Sequence, residues 1–275
     1  MESEAHVVLS GSGVRFPVFV GALEALGQAG VTVRQVVGTS GGALVGAFFK
    51  VGVPLDEIRR LVENTDFRSV ASWSLLGLAL LPIRGYVNGG EPLRALLRRY
   101  FGARTFADVP EFGAVVSDLT HEQTLVCHAS TTPTLSLVDG VYASAATPVV
   151  FEPFSSERGV WVDGTVRYDF ALDWPHLHDG RPVLGVKVRS PYSAPRSNSA
   201  LQIVLATVAN LIDANDRKHI DDATYARYVD VTSPVHSFDF SVNRAQRQAM
   251  VQAGFEAVWA GLADVLAAAR VHAAG

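Results

Sequence analysis

The stretch "VVGTSGGALVG", residues 36–46, joins two β-branched valines to a run that stays helix-compatible as far as Lys50, with a serine between glycines at the junction. Val36 and Val37 suit a buried strand and residues 43–50 suit a helix, so Ser40 falls on the turn between them. A chain that turns so abruptly needs neighbours without bulky side chains, and Gly38, Gly41 and Gly42 supply them. The pattern G-x-S-x-G at such a turn is the mark of a nucleophile elbow, which lifts the serine hydroxyl above the sheet. The same residues also fit a plain helix start, in which the hydroxyl accepts a backbone N–H from the next turn. By itself the motif is evenly balanced between nucleophile and cap.

Outward from Ser40 the chain alternates between the two periodicities. Residues 6–10 read as a short apolar strand, followed by the turn "GSG" and the helical run "VFVGALEALGQAG", which stops at Gly30. Residues 35–38 are the next strand, and Pro54 opens a further helix after the one that follows Ser40. In "EPLRALLRRYFG", Leu93, Leu96, Leu97 and Tyr100 share one helical face and the arginines a solvated one. Strands are expected over 112–119, 124–129 and 183–188, with a short one ending at Asp163, and helices over 200–215 and 243–273. This order predicts an α/β fold: a mostly parallel central sheet sandwiched by helices in three layers, with ligands outside the carboxyl ends of the strands.

Composition narrows the function. With 275 residues, 48% hydrophobic and 18% charged, the chain can bury one large core, and we read a single domain over 1–275. Its motif-bearing part covers about 5–190, and its helical C-terminal part 199–273. A net charge of −4 gives no electrostatic reason to bind nucleic acid. The single cysteine, Cys127, excludes an internal disulfide and a cysteine-based metal site, and its strand-like surroundings make it a small buried hydrophobe. The acidic opening "MESEAHVVLSGSG" does not resemble a secretory signal, so the expected location is cytoplasmic. "LLGLALLPI" falls far short of the roughly 20 residues of a membrane-spanning helix, leaving a soluble or peripheral protein.

Serine acyl transfer requires a nucleophile, a base for its proton, and backbone donors aimed at the developing oxyanion. In "SGSGVRF", Gly11 and Gly13 let the backbone present N–H groups at the start of a helix, a ready anion site. A dinucleotide turn would need glycine where Phe16 stands, and there is no P-loop lysine. "VWVDGTV" offers Asp163 at a strand end as the base, although Asp-Gly is also an ordinary turn dipeptide.

Taken together, "GSGVRF", "GTSGG" and "DGT" resemble, in chain order, the glycine-rich oxyanion motif, the nucleophile motif and the aspartate motif of the patatin-like phospholipase family. "YASAATPVVFEPF" resembles the family's A-S-x-A-x-P segment. The resemblance implies Ser40 as nucleophile and Asp163 as its partner in a Ser–Asp dyad, with Gly38 and Gly42 shaping the elbow. It also implies an oxyanion turn from Gly11, Ser12, Gly13 and Val14, with Arg15 adding positive charge. Two departures carry structural demands: Ser12 in place of a glycine requires a backbone free of positive φ, and Phe16 in place of a glycine, followed by Pro17, bears on how the next helix is placed. "RYDF" stands where the family has Asn-Pro.

The implied activity is that of a serine acyl hydrolase acting on lipid carboxylic esters presented by a membrane or micelle, of phospholipase A or lysophospholipase type, without metal or other cofactor. Two alternatives stand beside it. One is a catalytically silent lipid- or nucleotide-binding module on the same fold; the other is a Ser-His-Asp esterase using His236. His176 and His178 have strand-like spacing but no third ligand nearby, and Asp118 with His121, and Asp139, are expected in strand-end turns. The apolar segment 71–90, including Trp73, Leu76, Leu80 and Arg84, is expected to form a buried hairpin, or else to border the active-site mouth and meet lipid.

Overall fold

The structure, a computed structural model, describes residues 3–70, 75–189, 203, 206–207, 210 and 227–272. In chain order its strands are β1 (Ser3–Leu9), β2 (Val31–Thr39), β3 (Tyr86–Asn88), β4 (Phe112–Asp118), β5 (Gln123–Cys127), β6 (Val149–Phe151), β7 (Phe154–Ser156), β8 (Gly159–Asp163), β9 (Val183–Arg189) and β10 (Arg227–Thr232). The main sheet runs β10-β9-β1-β2-β4-β8-β7, with β5 also paired to β4. From β10 to β4 every pairing along this order is parallel, whereas β5, β7 and β8 join antiparallel.

The strand sequences explain this sheet. Neighbouring residues point to opposite faces, so a strand covered on both sides must be apolar at every position. Val8, Val37 and Val115 accordingly pack in one core with Phe170, Leu172 and Trp174. Leu9, Val36 and Val116 pack in the other, larger core. That larger side is built from α1 (Pro17–Gln28), α2 (Gly41–Lys50), α3 (Leu55–Asn64) and the short α4 (Phe67–Val70), then α6 (Glu91–Phe101), α7 (Leu137–Ala145) and the C-terminal helix Arg244–His272, which lies along α1; between α4 and α6 the chain forms α5 (Leu75–Arg84), which packs on β3.

Register sets the site. Leu9 pairs with Gly38, which brings the turn after β1 beside the residues that follow β2. Thr39 pairs with Val115, and Val116 pairs with Asp163 at the end of antiparallel β8. Ser40 and Asp163 therefore reach the same level of the sheet on either side of β4. The predicted mostly parallel α/β sheet is observed; the antiparallel edge was not anticipated. Two of its strands, β5 and β8, fall where strands were expected, over 124–129 and ending at Asp163; the three-residue β7 was not expected, and the antiparallel direction of all three is set by pairing to β4 and β8.

Several expectations change. The segment 71–90 is no buried hairpin: residues 75–84 form α5, on which Ala79, Pro82, Ile83 and Arg84 are exposed, and β3 then pairs with β6. Trp73 and the side chain of Leu76 lie outside the described residues, as does most of the helix expected over 200–215. Asp139 sits in the first turn of α7, not at a strand end. His176 lies in a 3-10 turn, Pro175–Leu177, against Trp174 and His128, so "HLH" has no strand spacing. Among the described residues no cluster of three or more His, Cys, Asp or Glu could hold a metal, and no helix is long and apolar enough to cross a membrane.

Candidate active site

Ser40 takes φ 52° and ψ −117°, a conformation that a non-glycine residue adopts only when its surroundings impose it. Here they do. A Cβ at Gly42 would lie 2.4 Å from the carbonyl oxygen of Leu9, so α2 can start this close to β1 only without one. The hydroxyl caps nothing in α2. Instead Ser40 Oγ donates to Asp163 Oδ2 at 2.7 Å, and the helix-cap reading falls. The Ser40 N–H donates to Ser144 Oγ at 3.0 Å, which fixes the elbow to α7.

Asp163 is fully enclosed, at 1% exposure. Its Oδ1 accepts from the N–H and the hydroxyl of Thr165 at 3.0 and 2.9 Å, and its Oδ2 accepts from Thr147 Oγ1 at 2.8 Å as well as from Ser40. Burial pushes the carboxyl up to about 6, against the opposing pull of these four donors. The acid is thus charged at neutral pH but close enough to neutrality to take up and return a proton.

The glycine-rich turn is beside them, and its N–H groups are not equivalent. Gly11 N–H is taken by Asp169, whose Oδ1 accepts it at 2.8 Å, and Val14 N–H by the carbonyl of Ser237 at 2.9 Å. Ser12, Gly13 and Gly41 keep N–H groups with no acceptor among the described residues, and Gly41 opens α2, where the helix dipole favours negative charge. The expected four-residue turn is thereby reduced in its usable donors, since the outer two are spent on holding it. Ser12 has φ −149°, which meets the demand set by its side chain. Phe16 has φ −55° and opens α1 without strain, its ring 4.8 Å from that of Phe67.

Arg15 does not face the turn's open side. Its guanidinium is buried, donating to the carbonyl of Ser12 and to Ser237 Oγ, both at 2.8 Å, and it braces the turn from behind. Asp169 is paired with Lys187, both buried, so the carboxylate that clamps Gly11 is neutralised within the core. His236 serves its own loop, with Nδ1 accepting from Phe238 N–H at 3.3 Å, and no histidine bonds Ser40 among the described residues.

A pocket opens at Ser40 between α2, α3 and α6, and no lining side chain is charged. Phe16, Leu44, Phe48, Phe67, Leu96 and Phe151 form much of its wall. Sequence reasoning named Ser40 and Asp163 but gave no role to Ser144, Thr147, Thr165, Asp169 or Ser237. Ser144 and Thr147 lie inside the quoted segment "YASAATPVVFEPF", the one signal that pointed towards them. Ser237 offered none.

Fold and geometry together define a class: α/β proteins that present a serine on a strand-to-helix elbow at the carboxyl edge of a largely parallel sheet. Within that class the chain belongs to the patatin-like phospholipase family, whose model matches residues 7–173. The uncharacterized protein YqhO of Bacillus subtilis is 27% identical over 273 residues, spanning 90% of this chain and 94% of that protein. The uncharacterized NTE family protein Rv2565 of Mycobacterium tuberculosis is 27% identical over 159 residues, 58% of this chain but 26% of that protein. Among solved structures, VipD from Legionella pneumophila superposes with a TM-score of 0.64 at 18% identity, covering 96% of this chain and 67% of VipD. ExoU from the type III secretion system of Pseudomonas aeruginosa, solved with SpcU, gives 0.50 at 16% identity, with 95% of this chain on 52% of that one. At these identities the two structures speak to the fold.

Proposed function

We propose that the chain is a serine acyl hydrolase that cleaves carboxylic esters of lipids, of phospholipase A or lysophospholipase type. The observation that carries this is the 2.7 Å bond to the buried carboxylate of Asp163 from the Oγ of Ser40, a residue that lines an uncharged pocket. Ser40 Oγ attacks the ester carbonyl while its proton passes to Asp163 Oδ2. The N–H groups of Ser12, Gly13 and Gly41 hold the oxyanion. Asp163 returns the proton to the departing alcohol, and water then releases the fatty acid from Ser40.

The pocket favours an acyl chain over a charged head group, because a buried charge without a partner is costly and no lining side chain supplies one. Fluorophosphonates test both points at once. Wild-type protein is expected to be labelled at Ser40, faster by a decyl probe than by an ethyl one. An unlabelled, folded protein would overturn the assignment, and equal rates for the two probes would take the acyl chain out of this pocket.

Lipid arrives as an aggregate, and α5 offers it a contact. Ile83 is 82% exposed beside the exposed Arg84, an apolar residue and a cation suited to the boundary between acyl chains and anionic head groups. Ile83→Asp is expected to lower co-sedimentation with phosphatidylglycerol vesicles and hydrolysis of vesicle lipid, with hydrolysis of a monomeric ester unchanged. Vesicle binding that survives the substitution would remove α5 from the contact.

A further inference from the structure

Asp163 Oδ2 carries two hydroxyls. Ser40 Oγ donates to it at 2.7 Å and Thr147 Oγ1 at 2.8 Å, while Oδ1 is occupied by Thr165. Thr147 also lines the pocket that opens at Ser40, so one residue touches both the carboxylate and the space where an acyl group would lie.

The backbone holds it there at a cost. At the end of α7, Ala146 has φ −76° and ψ 69°, and the tight turn brings Thr147 N–H to the carbonyl of Ala145 at 2.8 Å. Two residues on, Val149 has φ 72°, a region that a β-branched residue avoids unless its surroundings demand it. The carbonyl of Thr147 accepts from the N–H groups of Val150 and Phe151 at 3.1 and 2.9 Å. A strained loop tied on both sides of one threonine fixes that hydroxyl on the carboxylate.

The consequence appears in the second half of the reaction. Once Ser40 Oγ is bonded to the acyl carbon it has no proton to donate, and Asp163 Oδ2 has lost one of its two donors. A water entering that place can donate one O–H to Oδ2, but its second O–H needs an acceptor if the oxygen is to stay aimed at the acyl carbon. Thr147 Oγ1, its own proton already committed to Oδ2, keeps lone pairs with which to accept, on a residue that lines the pocket. We propose that Thr147 is a positioning residue for deacylation, fixing the hydrolytic water between its own oxygen and Asp163 Oδ2; this rests on the Ser40–Asp163 reading above. The water oxygen bonds to the acyl carbon as its proton passes to Oδ2. The tetrahedral intermediate then breaks its bond to Ser40 Oγ, which keeps the electron pair and takes the proton back from Asp163, and the fatty acid leaves.

Thr147→Val keeps the shape and removes the hydroxyl. With p-nitrophenyl butyrate it is expected to release a burst of about one equivalent of p-nitrophenol and then turn over about 10²-fold more slowly than wild type, the low end for a lost general-base contribution. Mass spectrometry should find the butyryl group on Ser40. Fluorophosphonate labelling, which needs only the first half-reaction, should fall far less than turnover, and Thr147→Ser should restore both. Thr147→Ala carries the same expectation where the valine variant does not fold. Wild-type turnover without a burst would overturn the proposal. So would a parallel fall in labelling and turnover that serine does not rescue, which is the mark of a structural role. An unlabelled wild-type protein would instead overturn the Ser40 reading, and this proposal with it.

Discussion

Ser40→Ala is expected to lower hydrolysis of short acyl esters by roughly 10⁴-fold or more, the scale on which loss of a nucleophile is felt. Asp163→Asn should follow on the order of 10⁴-fold, because an amide cannot take the Ser40 proton. The asparagine variant carries a second signature. Burial raises Asp163 from an ordinary 3.8 to about 6, so the folded state holds its proton more tightly than the unfolded chain. The stability this contributes is complete below about pH 4 and is lost as pH rises through 6. At pH 8 the ionised carboxylate therefore costs on the order of 3 kcal/mol relative to an ordinary carboxyl, at 1.36 kcal/mol per pH unit. The neutral amide of Asp163→Asn escapes that cost, and the hydroxyls of Ser40 and Thr147 can rotate to accept from it. The variant is expected to melt several degrees higher than wild type at pH 8 and to lose that advantage near pH 4, while being inactive throughout. In the wild-type protein kcat/KM should climb with pH to about 6 and level off above it. A His236→Ala variant as inactive as Ser40→Ala, or a kcat/KM profile flat from pH 4 to 8, would return the chemistry to another base.

Gly13→Val is expected to reduce kcat by about 10²–10³-fold with a much smaller change in KM, the loss associated with an oxyanion donor. Gly13 has φ 56°, and a Cβ there would lie 2.1 Å from the carbonyl oxygen of Ser237, the same oxygen that holds Val14 N–H. The added side chain can be accommodated only if the Ser237 loop moves or the turn rotates, and rotation withdraws the N–H groups of Ser12 and Gly13 from the front of Ser40. Binding of the acyl chain should persist, because the pocket wall beyond the turn is untouched. Steady-state kinetics on a short ester, with circular dichroism to establish folding, separates the two parameters. Near-normal turnover in a folded variant would place the oxyanion elsewhere.

The sequence alone was sufficient for the strands and helices whose patterns are local. Valine runs apolar at every position signal strands covered on both faces, and glycine at positions 38, 41 and 42 signals a sharp turn, because these demands are met by residues adjacent in the chain. The motifs around Ser40 and Asp163 are likewise short stretches of adjacent residues, so their order could be matched to that of the patatin-like family, which is what implied their roles. The antiparallel direction of the edge strands, the small β3–β6 sheet and the helix α5 were not legible, since strand direction, a three-residue strand or an apolar helix takes its identity from what lies beside it.

The site divides along the same line. Residues 38–42 left Ser40 balanced between nucleophile and cap, and residues 163–165 read by themselves as an ordinary turn; it was the resemblance of several motifs in order to the patatin-like family that implied this serine and this aspartate. That Ser40's hydroxyl meets Asp163 rather than its own helix was decided by the register of β2, β4 and β8, which brings together residues more than a hundred positions apart. Tertiary structure likewise decided which N–H groups of the turn are usable, through Asp169 and Ser237, and which second hydroxyl sits on the carboxylate, through Thr147. The physical reason is that local sequence sets backbone shape, whereas hydrogen-bond partners and the burial that raises a carboxyl to about 6 depend on which distant segments the fold packs against it.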